Sequence, residues 1–179
     1  MPRAPATLET DRLRLRLWRD VDETAFAALH TDPEVTKDLG GPLHRAECAR
    51  KLVRYRAAFD TQGIGRWAVE TREGDFLGYA GVMPVADPHP LGPHFDIGWR
   101  LRRGAWGRGY ATEAARAALD DAFARRGLAE ILAYAAADNG RSIAVMTRLQ
   151  MQRDPARDFV ADYAGVGAWH GLVWVARPA

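Results

Sequence analysis

The chain has 179 residues, with 25 basic and 23 acidic side chains and a formal net charge of +2. A charge this close to zero argues against nucleic acid as a partner, because general polyanion binding needs a broad basic surface. A single cysteine excludes an internal disulfide, no apolar run approaches the ~20 residues that span a bilayer, and the N-terminus has no apolar signal segment. We therefore expect a cytoplasmic protein without a membrane partner.

The composition predicts one folded domain. Hydrophobic residues make up 47% of the chain and charged residues 27%, which is ordinary for a globular protein. A chain of this length buries roughly 70% of its unfolded surface, which leaves room for one full core. We expect a single domain over residues 1–179, with its core at about 8–177.

The first half of the chain alternates strands and helices. Arg and Leu alternate over residues 12–17, which is the period of a half-buried strand. One helix is expected at about 20–30, and a second at 45–59, where apolar residues recur at helical spacing. Two strands joined by a short hairpin turn complete this half, at residues 66–71 and 76–82.

The second half repeats this alternation. A strand is expected at 95–101, and alanines at helical spacing predict a helix from Ala111 to Phe123 that ends before Gly127. The remaining elements are a strand at 131–136, a helix from Asp138 or Asn139 to about Gln150, and a closing strand at 172–176. The order predicts an α/β or α+β domain with a mixed sheet of about six to seven strands and about four helices.

A glycine- and arginine-rich loop lies between the strand at 95–101 and the alanine-rich helix. Its glycines allow tight turns, and the helix that follows begins with unpaired N–H groups and the positive end of its dipole. No acidic residue occurs between Asp96 and Glu113. That interval contains four basic side chains, Arg100, Arg102, Arg103 and Arg108. The loop therefore predicts an anion site, most naturally for phosphate or pyrophosphate.

Two common phosphate loops do not fit this segment. A P-loop requires Gly-Lys-Ser/Thr, and the loop has no lysine. A dinucleotide fingerprint would place a small third residue where Thr112 stands. The five histidines show no metal-ligand spacing and Cys48 lies on an apolar helix stripe, so we expect neither a metal nor thiol catalysis.

The segment Trp106-Gly107-Arg108-Gly109-Tyr110-Ala111 resembles the acyl-CoA loop, Q/R-x-x-G-x-G/A, of the GNAT acetyltransferase superfamily. The likeness is to the branch of RimJ and RimL, which acetylate ribosomal-protein N-termini. Further segments resemble that branch in the same order: LETDRL at 8–13, TDPEV at 31–35, DNGRS at 138–142, and the pair Trp169-His170.

This resemblance implies acetyl-CoA as co-substrate and a primary amine as acceptor, either a protein N-terminus or a small molecule. It also implies direct attack in a ternary complex, splayed strands at the acyl-CoA site, and a monomer or homodimer. The pyrophosphate is expected on the amides of residues 106–111, with the pantetheine arm along Leu101. The expected acetyl-CoA-binding residues are Leu101, Arg102, Arg103, Trp106, Gly107, Arg108, Gly109, Tyr110, Ala111, Thr112, Asn139 and Ser142.

Two residues are candidates for catalysis. Asp96 lies on the strand that leads to the loop and is the candidate general base, directly or through water. Ser142 is the candidate proton donor to the departing thiolate, with water as the alternative, because Met146 stands where many relatives have a tyrosine. Gly104 occupies the Q/R position of the loop. These two departures motivate an alternative function, a non-catalytic domain that binds acyl-CoA for regulation.

The acceptor is expected between the loops at 32–44 and 84–94. Acidic residues in these loops would attract a cationic amine; they are Asp32, Glu34, Asp38 and Asp87. Three histidines are further candidates for lining the acceptor pocket, His44, His94 and His170. The sequence leaves the identity of the acceptor open.

Overall fold

The computed structural model describes residues 4–163 and 167–178. Its strands, in chain order, are β1 (Thr7–Glu9), β2 (Leu13–Arg16), β3 (Arg66–Thr71), β4 (Phe76–Val85), β5 (His94–Leu101), β6 (Ile131–Ala135), β7 (Gln152–Arg153), β8 (Phe159–Tyr163) and β9 (Gly167–Ala176). Its α-helices are α1 (Asp22–Thr31), α2 (Pro33–Thr36), α3 (Arg45–Gln62), α4 (Tyr110–Arg126) and α5 (Gly140–Arg148). Short 3-10 turns occur at Lys37–Leu39, Arg103–Ala105 and Pro155–Arg157.

The strands form one mixed sheet in the order β1-β2-β3-β4-β5-β6-β9-β7, with β8 paired to β9. All neighbouring strands are antiparallel except β5 and β6, which run parallel. In the described ranges, β5 and β6 are in register only at Asp96 and Leu132. Beyond that pair the two strands diverge, which confirms the expected splay at the middle of the sheet.

Helix α4 covers the central strands with its alanine stripe. Ala114, Ala115, Ala118 and Ala122 are each at most 2% exposed and belong to the main core. Small side chains let the helix approach the sheet closely, so its first turn sits directly beside the end of β5. The helix ends as predicted at Gly127, whose φ of +59° suits glycine. No helix in the described ranges is long and apolar enough to cross a membrane.

Within residues 4–163 and 167–178, the sheet has nine strands instead of the six to seven expected, and the helices number five because the short α2 is counted. The missed strands are β1, β7 and β8. β1 and β7 have three and two residues, too few to show a period of two. β8 pairs only with β9 and has a largely exposed residue, Val160, so its hydrophobic pattern is weak.

Candidate active site

The backbone conformation of the loop before α4 exposes N–H groups. Gly107 and Gly109 have φ values of +73° and +78°, a left-handed conformation that favours glycine. The amide of Trp106 already donates to the carbonyl of Arg103 at 3.1 Å. Among the described residues, the amides of 107–109 donate to no backbone carbonyl. With the first-turn amides of α4, they leave a run of backbone N–H groups without carbonyl partners that begins at residue 107, one residue later than the expected anion site.

A polar cluster from the turn between β1 and β2 supports this loop. The Glu113 carboxylate accepts hydrogen bonds from Thr10 Oγ1 at 2.6 Å and Arg12 Nε at 2.7 Å. Arg12 Nη1 also donates to the carbonyl oxygen of Arg108 at 2.9 Å. Burial raises the pKa of Glu113, but the hydrogen bonds from Thr10 and Arg12 outweigh it and lower the pKa overall. Sequence reasoning missed Arg12 because it reads as part of the first strand.

A cavity of about 140 Å³, called here the loop cavity, opens beside the start of α4. It is lined by eight of the expected acetyl-CoA-binding residues: Leu101, Trp106, Gly109, Tyr110, Ala111, Thr112, Asn139 and Ser142. Thr112 Oγ1 is buried there without a hydrogen-bond partner. An unpartnered hydroxyl beside free amides fits a site that receives a polar ligand.

Four expected residues lie outside this lining. Arg102 lines a different cavity beside α1 and β4, and Arg103, Gly107 and Arg108 are exposed on the loop. Two arginines that sequence reasoning missed do line the loop cavity, Arg141 and Arg148. The guanidinium of Arg141 lies 3.8 Å from the ring centre of Trp106, which places a cation beside the anion site. Arg141 belongs to the DNGRS segment, and that position was the sequence signal that could have identified it.

A second cavity of about 210 Å³, called here the sheet cavity, lies where β5 and β6 diverge. Its walls include Asp96 to Arg100 of β5 and Ala133 to Ala135 of β6. The sheet cavity and the loop cavity share five lining residues: Asp38, Trp99, Arg100, Asn139 and Ser142. The two cavities are therefore halves of one continuous cleft.

Asn139 and Ser142 stand at the junction of the two halves. Asn139 Oδ1 accepts a hydrogen bond from the backbone N–H of Ser142 at 3.1 Å, so Asn139 is the N-cap of α5. This cap holds the first turn of α5, and with it Ser142, at the junction. Met146 is 1% exposed and lines the sheet cavity.

Asp96 lines the sheet cavity but is held in an ion pair. Arg66 Nη2 lies 2.8 Å from Asp96 Oδ1 and 2.9 Å from Oδ2. The Tyr134 hydroxyl lies 3.4 Å from Oδ2. A β-carbon at Gly98 would lie 2.9 Å from Arg66 Nη2, so glycine there leaves room for the guanidinium. Any water or amine that gives a proton to Asp96 competes with Arg66 for these oxygens.

Sequence reasoning also missed a cluster of two tyrosines and two cations in the sheet cavity: Lys51, Tyr55, Tyr79 and Arg100. Lys51 and Tyr55 are four residues apart on α3, and Arg100 of β5 is directly opposite Tyr79 of β4. Burial raises the pKa of the Tyr79 hydroxyl, but Lys51, Arg100 and a hydrogen bond from Tyr55 outweigh it and lower the pKa to about 8. The pKa of Tyr55 is raised, chiefly by burial.

The residues expected around the acceptor are dispersed. Asp38 lines both cavities, whereas Asp32 caps α2 by accepting the Glu34 amide at 2.9 Å. His44 caps α3, and His170 is exposed on β9. His94 packs against Tyr134, with ring centres 5.9 Å apart.

The acetyltransferase (GNAT) domain family matches residues 12–152, which include the glycine-rich loop and the lining of both cavities except Trp169 of the sheet cavity. The chain belongs to this family. The GNAT chain is also 34% identical over 151 residues to the uncharacterized protein YkkB of Bacillus subtilis, with 83% of this chain and 86% of YkkB covered.

Solved structures agree with this assignment. An acetyltransferase from Agrobacterium tumefaciens superposes with a TM-score of 0.82 at 27% identity, covering 99% of this GNAT chain and 98% of the other. RimJ of Mycobacterium smegmatis, in complex with CoA-disulfide, has the same fold, with a TM-score of 0.70 at 19% identity over 92% of this chain and 81% of RimJ. The expected likeness to RimJ and RimL is thus confirmed at the level of fold.

Proposed function

We propose that this GNAT protein transfers an acetyl group from acetyl-CoA to a primary amine, of a protein N-terminus or a small molecule, within a ternary complex. The observation that carries the proposal is the meeting of the loop cavity and the sheet cavity at Ser142 and Asn139. One half of the cleft offers anion-binding groups and the other offers an enclosed space between splayed strands. A donor and an acceptor bound in the two halves would meet at this junction.

The loop cavity suits the donor. The free amides of residues 107–109 and the first turn of α4 would bind the pyrophosphate, with Thr112 Oγ1 as a further hydrogen-bonding group. Arg141, held against Trp106, would add positive charge beside it. The pantetheine arm would lie along Leu101 and the diverging edge of β5. Acetyl-CoA supplies the acyl group as an activated thioester.

The sheet cavity suits the acceptor. The amine nitrogen attacks the thioester carbonyl carbon, the C–N bond forms and the C–S bond breaks. The ammonium first gives up one proton to a base; after attack the nitrogen loses a second proton, which balances the proton that the departing sulfur takes up. A backbone N–H at the open edge of β5 would polarise the carbonyl oxygen. Holding the two reactants in this orientation can contribute about 7–11 kcal/mol to the rate.

Ser142 and Asp96 are the proposed catalytic residues. Ser142 at the junction of the cavities would give a proton to the departing sulfur, directly or through water. Asp96 would accept the amine proton through water, in competition with its ion pair to Arg66. For Ser142 the decisive measurement is kcat of Ser142→Ala at saturating donor, where an unchanged value removes its role.

Thermal unfolding with acetyl-CoA tests the donor site. Acetyl-CoA should raise the Tm of the wild-type protein, because it binds only the folded state. Gly107→Arg should abolish this shift by blocking the amides. Gly74→Arg is the matched control, since Gly74 also has a positive φ of +98° and open space around it, but lies in the β3–β4 turn. The absence of any shift at millimolar acetyl-CoA would contradict the assignment.

Release of free thiol from acetyl-CoA distinguishes an enzyme from a regulatory domain. If the protein is an enzyme, some members of a panel of small amines, aminoglycosides and peptides should act as acceptors. With each of these, thiol should be released from acetyl-CoA in proportion to the acetylated product. The substitution of the usual tyrosine by Met146 motivates the regulatory alternative. Tight acetyl-CoA binding without thiol release for any acceptor would favour that alternative.

A further inference from the structure

The sheet cavity has an excess of positive charge. Three cations line it, Lys51, Arg66 and Arg100, against two carboxylates, Asp38 and Asp96. Arg66 and Asp96 neutralise each other in their bidentate ion pair. Lys51 forms no ion pair within the part of the chain that the structure describes. One positive charge therefore remains uncompensated in the cavity.

Two hydrogen-bond donors in the same cluster, on Arg100 and Lys51, have no acceptor within the described ranges. Arg100 Nη1 donates to the carbonyl oxygen of Val35 at 2.9 Å, but Arg100 Nε is buried without a partner. In the described ranges, Lys51 donates to no acceptor in the protein. Buried donors of this kind are normally satisfied, by the protein or by a ligand.

The surroundings of Lys51 and Tyr79 agree with this excess charge. Burial, together with the like charges of Arg100, Arg54 and Arg66, lowers the pKa of Lys51 below its usual value. Lys51 and Arg100 in turn stabilise the ionised form of Tyr79. The influence of the arginines on Lys51, although Tyr79 opposes it, and the shift of Tyr79 indicate a local positive field that a bound anion would relieve.

We infer that the acceptor carries a carboxylate in addition to its amine, and that Lys51 and Arg100 bind this carboxylate. The inference rests on the proposed function and names the substrate class of its acceptor half. Lys51 Nζ and Arg100 Nε supply two donors for two carboxylate oxygens, and the carboxylate would place a negative charge beside the uncompensated cation. The cavity of about 210 Å³ suits a small amino acid or the end of a larger acidic amine.

The coenzyme does not account for Lys51, although Arg100 lines both cavities. Its phosphates have their own site at the start of α4, and Lys51 does not line the loop cavity. Asp38, which lies at the boundary of the two cavities, is placed to attract the ammonium group of the same acceptor. A molecule with both charges would be oriented by these opposite charges in the sheet cavity.

Thiol release with paired acceptors tests the inference. The panel contains α- and ω-amino acids, each beside its carboxamide, so that the members of a pair share one carbon skeleton; the ω-amino acids keep the amine remote from the group that is changed. We expect kcat/KM to be at least about 10-fold higher for the carboxylate member, as for a charged hydrogen bond. Lys51→Met should remove this preference, while the KM of acetyl-CoA stays unchanged. The control is Arg50→Met, which removes a neighbouring exposed charge on α3.

Calorimetric titration with succinate and succinamide, in the presence of CoA, gives a readout that needs no turnover. Succinate should bind the wild-type protein and the Arg50→Met protein but not Lys51→Met, and succinamide should bind none of them. Equal turnover of the paired acceptors would overturn the carboxylate inference and leave acetyl transfer standing. Succinate binding without turnover of any amine would support the anion site and contradict the proposed function. Neither binding nor turnover would contradict both.

Discussion

Arg66 and Asp96 form a bidentate ion pair beside the sheet cavity, with Arg66 Nη2 at 2.8 Å from Oδ1 and 2.9 Å from Oδ2 of Asp96. The side chains are 9% and 14% exposed. Arg66 also donates to the backbone carbonyls of Gly81 and Asp96. The pair thus ties β3, β4 and β5 together at the place where the acceptor is proposed to bind.

Loss of the Asp96 charge should destabilise the fold. Asp96→Asn leaves the guanidinium of Arg66 buried and unneutralised, which costs about 3–5 kcal/mol in comparable ion pairs. Urea unfolding at neutral pH measures this loss. Asp20→Asn is the control, because Asp20 pairs with Arg56 but is fully exposed, and its stability should not change measurably. Equal stability of Asp96→Asn and the wild type would show that Arg66 does not depend on this carboxylate.

His30 should make the protein sensitive to mild acid. It is fully buried, its Nδ1 donates to the Phe26 carbonyl oxygen at 2.9 Å, and burial chiefly lowers its pKa from 6.5 to about 3. Between these values the unfolded chain binds a proton that the folded protein does not. Stability should therefore fall with decreasing pH below about 6.5, by about 1.4 kcal/mol per pH unit.

Urea unfolding at several pH values between neutral and pH 4 checks this effect of His30. His30→Leu should show a shallower decline than the wild type. The exposed His170 serves as control, since His170→Leu should retain the wild-type slope. Identical slopes for all three proteins would contradict a neutral His30 in the folded state.

Tyr79 should titrate at a lower pH than an ordinary tyrosine. The Lys51 and Arg100 charges, acting against burial, lower its pKa to about 8, compared with about 10 for a free phenol. A pH titration of phenolate absorbance should show one early transition that Tyr79→Phe removes. Lys51→Met should move this transition to higher pH, whereas Arg50→Met should leave it in place. Absence of an early transition in the wild type would rule out the positive field assigned to the cavity.

Restoring the usual side chain at Gly104 should strengthen coenzyme binding. Gly104 occupies the Q/R position of the loop, and a β-carbon there would meet no atom within 4 Å. Gly104→Arg should therefore fold normally and gain about one charged hydrogen bond to a phosphate. We expect the Kd for CoA to fall about 5-fold, which corresponds to about 1 kcal/mol. Gly74→Arg, which adds the same charge at the β3–β4 turn, should bind CoA as the wild type does.

Removing the charge of Lys51 should stabilise the fold, even though it removes the proposed preference for a carboxylate in the acceptor. Lys51 is a half-buried cation without an ion-pair partner in the described ranges, and Met has a similar shape without the charge. Lys51→Met should raise the Tm by about 2–4 °C, as expected from about 1 kcal/mol in a chain of this size. A lower Tm would show that the charge is compensated in the folded protein.

The sequence by itself determined the family and predicted the donor half of the proposed site. The strand β5, the loop with Gly107 and Gly109, and the alanine stripe of α4 are neighbours along the chain. Their periodicities and glycine positions express local backbone requirements, which a sequence shows directly. The same holds for Asn139, whose cap of α5 involves a residue only three positions away.

Only the tertiary structure decided the acceptor half. Asp96 meets Arg66 across 30 residues of sequence, and Lys51 reads as part of a polar helix face until α3 packs over β4 and β5. The short strands β7 and β8 likewise become visible only through pairing with β9. The net charge of a buried cavity depends on which side chains, from distant parts of the sequence, line it together. Periodicity along one helix or strand contains no information about these neighbours.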